Sequence, residues 1–166
     1  IAPFATTSST YKNPQFYEVI LTAVTPATSG DSGERFLTTD GGSTADNSAT
    51  DTKNNSIYVG RYDGTNSRQM YVKGIIKASK VGASSWESEY AVWEVSGFIK
   101  ANQLVQDNVN EIFNPGNFDD PTLDEDFGDS GSGSTEEYWW RIKVRGKSSY
   151  SILYTAYITC YVTDEP

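Results

Sequence analysis

Four long runs of this chain alternate apolar and polar residues with a period of two, a pattern that admits little except antiparallel sheet with one wet face per strand. In the run from Met70 to Ala78, one face carries Met70, Val72, Gly74, Ile76 and Ala78, and the other carries Tyr71, Lys73, Ile75 and Lys77. From Tyr90 to Ala101 the inner set is Ala91, Trp93, Val95, Gly97, Ile99 and Ala101. From Tyr138 to Gly146 it is Tyr138, Trp140, Ile142 and Val144, with Trp139, Arg141, Lys143 and Arg145 outward. From Ser151 to Val162 it is Ile152, Tyr154, Ala156, Ile158, Cys160 and Val162. No window holds a helical period beyond about one turn.

Shorter signals complete the outline. The β-branched run from Phe16 to Thr25, stopped by Pro26, predicts a first strand, and Arg35 to Thr39 a short second one. Leu104 to Phe113 predicts a strand in the connection after the second long run, and Asp40 to Asn55 reads as polar loop. Residues 1–15, rich in Thr and Ser with two prolines, read as an extended N-terminal arm. Strands at this spacing, punctuated by Gly, Asn, Asp and Ser, predict an all-β fold: an antiparallel β-sandwich, jelly-roll-like, as one domain over 16–166. A chain that opens on Ile1 is expected to be a processed product or a piece of something longer.

Charge and composition narrow the partners. The net charge is −9, and eight acids with no base fall between Asn117 and Glu137, so 114–137 reads as an acidic, solvated loop. Phosphate binding needs clustered Lys and Arg, so no nucleic-acid partner is expected. No apolar stretch approaches the roughly 20 residues of a membrane-spanning helix. The single cysteine, Cys160, lies in an apolar alternating run and reads as a buried thiol.

The chain has no histidine, which removes the usual general base and the commonest metal ligand. Gly-Asp-Ser-Gly occurs at 30–33 and again at 128–131. Serine chemistry of the kind that tetrapeptide accompanies needs a histidine to take the proton, so both copies read as turns. Asp124, Asp126 and Gly128 fit a calcium loop only loosely, because the required glycine and glutamate offsets are missing. A carboxylate pair could in principle cleave glycosides, but sequence cannot bring two acids to one cleft. Asn54-Asn55-Ser56 is a lone glycosylation triplet. No catalytic residue, metal site or cofactor is expected.

Aromatic residues carry more information. Trp93, Trp140, Tyr154 and Phe98 are spaced as core or near-core residues, whereas Tyr71, Tyr90, Trp139, Tyr157 and Tyr161 fall on faces that are wet in a monomer. Exposed rings on a sheet serve either oligomer interfaces or carbohydrate stacking, and these five are the candidate interface.

Most of the chain resembles a β-rich domain of tailed-bacteriophage virion surface proteins: tail fibre and tailspike ends and related capsid decoration proteins. The resemblance lies in Asn54-Asn55-Ser56-Ile57-Tyr58 ahead of a strand ending in Lys77-Ala78, then the strand Ala91 to Lys100. The tryptophan strand Trp139 to Gly146 and a closing strand ending in Val162-Thr163-Asp164-Glu165 follow, with Arg35 to Gly42 like the family's lead-in. The acidic insertion at Asn114–Glu137 departs from the pattern. The resemblance implies a non-enzymatic virion-surface protein, often a homotrimer, packed against major capsid or tail proteins. A carbohydrate-binding module, recognising host surface glycan, is the alternative.

Overall fold

The computed structural model of the chain describes residues 15–29, 31–44, 57–62, 68–82, 89–100, 103–128 and 136–164. Ten strands follow in chain order: β1 (Gln15–Thr25), β2 (Arg35–Phe36), β3 (Ser43–Thr44), β4 (Ile57–Tyr62) and β5 (Arg68–Lys80). Then come β6 (Tyr90–Lys100), β7 (Gln103–Phe113), β8 (Thr122–Gly128), β9 (Glu136–Val144) and β10 (Ile152–Asp164). One sheet has the order β1-β10-β5-β6-β7. In the other, β9 pairs β8 along one side, and β2 and β4 pair it at successive positions along the other. Every pairing is antiparallel, and the two sheets enclose one core, so the molecule is an antiparallel β-sandwich. Its meander β5-β6-β7 lacks the interleaved order of a jelly roll.

The alternation fixes which residues go inside. Met70, Val72, Ile76 and Ala78 of β5, Trp93 and Val95 of β6, and the even-numbered apolar residues of β10 are all buried. From the second sheet, Trp140, Ile142 and Val144 of β9 meet them. Gly97 leaves room for this: a Cβ there would stand 3.2 Å from Val72 Cγ2 and 3.5 Å from the indole nitrogen of Trp140. Trp93 stacks on Tyr154 with ring centres 6.5 Å apart. Both rings place their polar ends on partners, as buried Tyr and Trp require: Trp93 donates to Asp120 at 2.7 Å and Tyr154 donates to the Arg145 carbonyl at 2.9 Å.

Two neighbouring residues clasp the sheets together. The Leu37 N–H donates to the Ile142 carbonyl of the second sheet, and Thr38 exchanges both backbone hydrogen bonds with Thr22 of β1. The run predicted as a strand over Arg35 to Thr39 therefore pairs in the second sheet only at its start, because the chain then crosses to β1. The Thr38 hydroxyl donates to Asp40 and accepts from the Gly42 N–H, closing a turn. Gly42 has φ +94° and lies so close to Ala23 of β1 that a Cβ would come within 2.6 Å of Ala23 Cβ.

Several expectations need correction. Residues 114–137 are not simply a solvated loop. Asn114 and Phe118 exchange side-chain and backbone hydrogen bonds at 2.8 Å, Phe118 is buried, and residues 122–128 form β8. The strand escapes notice because acids are poor strand formers. Of the acids in β8, Asp124 lies opposite Arg141 of β9, whereas Glu125 and Asp126 lie opposite Trp140 and Trp139. Arg141, expected outward and wet, is only 6% exposed, with its guanidinium carbon 3.9 Å from the centre of the Phe36 ring. Phe98 is on the outer face, across from Tyr71, because Gly97 and Ile99 take the inner positions of β6. Part of the expected loop at Asp40 to Asn55 forms β3. The arm at 1–15, apart from Gln15, and the triplet at 54–56 lie outside the described residues.

Glycine positions in the first sheet differ sharply in tolerance. A Cβ on Gly74 would fall 2.1 Å from the Tyr157 carbonyl oxygen, a backbone atom that cannot swing away. Gly74→Ala is expected to cost about 3 kcal/mol or more and Gly97→Ala about 1 kcal/mol. Urea midpoints of the two variants against the parent check the ranking.

Candidate interaction surface

Among the described residues, the outer face of the β1-β10-β5-β6-β7 sheet holds the largest concentration of exposed apolar side chains. The register arranges it in rows across the strands. At one end, Phe16, Tyr161, Tyr71 and Phe98 stand side by side on four adjacent strands. Two positions along, a polar row carries Glu18, Thr159, Lys73 and Ser96. Ile20, Tyr157, Ile75 and Glu94 form the third row, and Thr22, Thr155, Lys77 and Val92 the fourth. Val24, Leu153, Ser79 and Tyr90 close the far end, where Tyr90 packs on Phe113 with ring centres 5.2 Å apart.

Exposure of the large apolar residues in these rows runs up to 70% at Phe16, with Ile20 at 57% and Tyr157 at 48%. Isolated exposed hydrophobics are ordinary, but a contiguous apolar sheet face marks an interaction site. Within the face, rings contact rings. Tyr161 lies 6.5 Å from Phe16 and 6.1 Å from Tyr71, centre to centre. Two lysines of β5 repeat one device: Lys73 Nζ stands 5.6 Å from the centre of the Tyr161 ring, and Lys77 Nζ 5.5 Å from that of Tyr157. Each ammonium gains from the ring's negative face while its stem covers apolar surface.

Four of the five expected interface residues, Tyr71, Tyr90, Tyr157 and Tyr161, are exposed and share this face. Trp139 does not join them, because it belongs to β9 of the other sheet, paired with Tyr58 and Asp126; its side chain lies outside the described residues. Sequence reasoning missed Phe16, Ile20, Val24 and Leu153. Their alternation in β1 and β10 was visible, but which strands adjoin was not.

An open groove of about 730 Å³ runs beside this face at the β5–β6 hairpin. Tyr157, Leu153 and Tyr90 border it, with Thr155, Ser79 and Glu89 supplying polar groups. Glu89 pairs with Lys80 at 2.6 Å through one carboxylate oxygen, while the other oxygen is buried without a hydrogen-bond partner.

On the opposite side of the sandwich, buried Glu34 accepts from Arg145 Nε at 2.8 Å, with Lys143 Nζ 4.0 Å away. Among the described residues, no group of three or more His, Cys, Asp or Glu is placed to hold a metal ion. The first Gly-Asp-Ser-Gly ends in a short 3-10 turn at Asp31–Gly33, with Gly33 packed under the Thr28 carbonyl. No helix among the described residues is long and apolar enough to cross a membrane.

Fold and surface together define an antiparallel β-sandwich with one broad apolar face left open. Comparison with protein-family models, with curated proteins and with solved structures yields no match.

Two buried acids give the fold a pH signature. Burial pushes the Cys160 thiol up to about 12 from an ordinary 9.0, against a smaller opposing effect from its hydrogen bond with Tyr17. Burial also raises the Tyr154 phenol above its ordinary 10.0, with the charges of Asp119 and Tyr150 adding to the effect. The native state keeps both protons at pH values where the unfolded chain releases them, so stability falls as pH rises. The loss is expected to begin near pH 9 and to continue to about pH 12. Urea midpoints at pH 8, 10 and 11 measure it. A Cys160→Ala/Tyr154→Phe variant should be less stable at pH 8 yet show a flatter decline.

Proposed function

We propose that the chain is a non-catalytic structural protein of a tailed-bacteriophage particle surface, a capsid decoration (cement) protein or a component of a tail fibre or spike. The observation that supports it best is the open apolar face across the β1-β10-β5-β6-β7 sheet, whose rows of Tyr, Phe and Ile suit burial against another β surface. Such a protein works by packing. It associates with itself, as a homotrimer in the family it resembles, and with major capsid or tail proteins, at the virion surface.

Carbohydrate binding is a second reading. The groove beside Tyr157 and Tyr90, with hydroxyls of Ser79 and Thr155 and the half-satisfied Glu89 carboxylate, favours it. The lysines over Tyr157 and Tyr161 weigh against it, since each takes up ring face that a sugar would stack on.

Two experiments decide between the readings. Gold-labelled antibody against the chain, viewed on purified particles of the phage that encodes it, should decorate heads or tails. Particles that stay unlabelled whether intact or disrupted overturn the structural reading. The isolated chain on a glycan array should bind nothing, and a reproducible glycan hit moves the assignment to the second reading.

A further inference from the structure

The open face carries a charge pattern that selects its own occupant. Its rows contain two acids, Glu18 and Glu94, and two bases, Lys73 and Lys77, so the face is neutral on a chain of net charge −9. The repulsion that keeps like copies apart is concentrated elsewhere, and here two copies can approach.

Row order then limits the orientation. Turning one copy end for end would set the Lys73 row against the Lys77 row, lysine facing lysine along β5. Keeping rows level, by rotation about an axis parallel to the strands, removes that clash. With the axis beside β10, the β1 strand of one copy lies opposite the β5 strand of the next. Phe16 then meets Tyr71, Glu18 meets Lys73, and Ile20 meets Ile75, each apolar row on an apolar row and acid on base. Tyr157 and Tyr161 gather at the axis, where large, desolvated rings contribute most.

We infer that the part of this outer face made by β1, β10 and β5 is covered by the same part of another copy of this chain, rotated about an axis along β10 so that Glu18 of one meets Lys73 of the next. This deepens the self-association in the proposed function and rests on it, without fixing whether two or three copies close the ring.

A charge swap tests the pairing. Sedimentation of the isolated chain at micromolar concentration should give a dimer or trimer, with Glu18→Lys and Lys73→Glu each weakening association about tenfold. The double variant should return to within about threefold of the parent, because the swapped charges again meet opposites. Exposed single charges change fold stability little, so thermal melts should be nearly unchanged. A monomeric parent, or a double variant as weak as the sum of its singles, overturns the inference. Either result can stand beside positive particle labelling, which leaves the virion reading intact; rescue without labelling upholds the interface and removes the virion reading.

Discussion

The two sheets meet closely where the Trp140 indole lies over Gly97. A large ring from one layer occupies the space that a missing side chain leaves on the other, which is how native cores reach their density without strain. The layers around it follow from that spacing. Further along the same sheet Trp93 stacks on Tyr154, and each needs a polar partner at the rim. Asp120 and the Arg145 carbonyl provide them, so a loop acid and a strand end become part of the core's construction. The turn at Asn114–Phe118 is held by paired hydrogen bonds because it must deliver Asp120 to that rim.

The opposite surface of the same strands carries the open apolar face. A solvated antiparallel sheet ordinarily shows polar residues outward. Here the outward positions alternate between apolar and polar rows, so the face is amphipathic along the strands and not merely greasy. Cross-strand neighbours add cation–ring contacts that hold the lysine heads over the tyrosines. Such a face is soluble enough for a free chain and apolar enough to be covered.

Much of the architecture was legible because a half-buried strand writes its burial in every second residue. Met70 to Ala78 and Ile152 to Val162 declare their inner faces without help from the rest of the chain. What escaped depends on information the local sequence does not hold. β8 is masked by its acids, of which only Asp124 lies opposite a base, and β4 is too short for its period to stand out. Arg141 reads as wet until Phe36 is brought beneath it from a distant segment. Of the candidate surface, single residues were visible but their grouping was not, since β1 pairs with β10 across nearly the whole chain.

The β1–β10 pairing also decides how the molecule bears force. Gln15 lies opposite Val162, so the outer ends of these two strands leave the sheet at the same edge. Tension pulling those ends apart would load one rung of hydrogen bonds at a time and peel the ladder open, whereas a pull along opposite ends would strain every rung together. A sandwich built this way resists load best when tethered through one end only, with the other left slack.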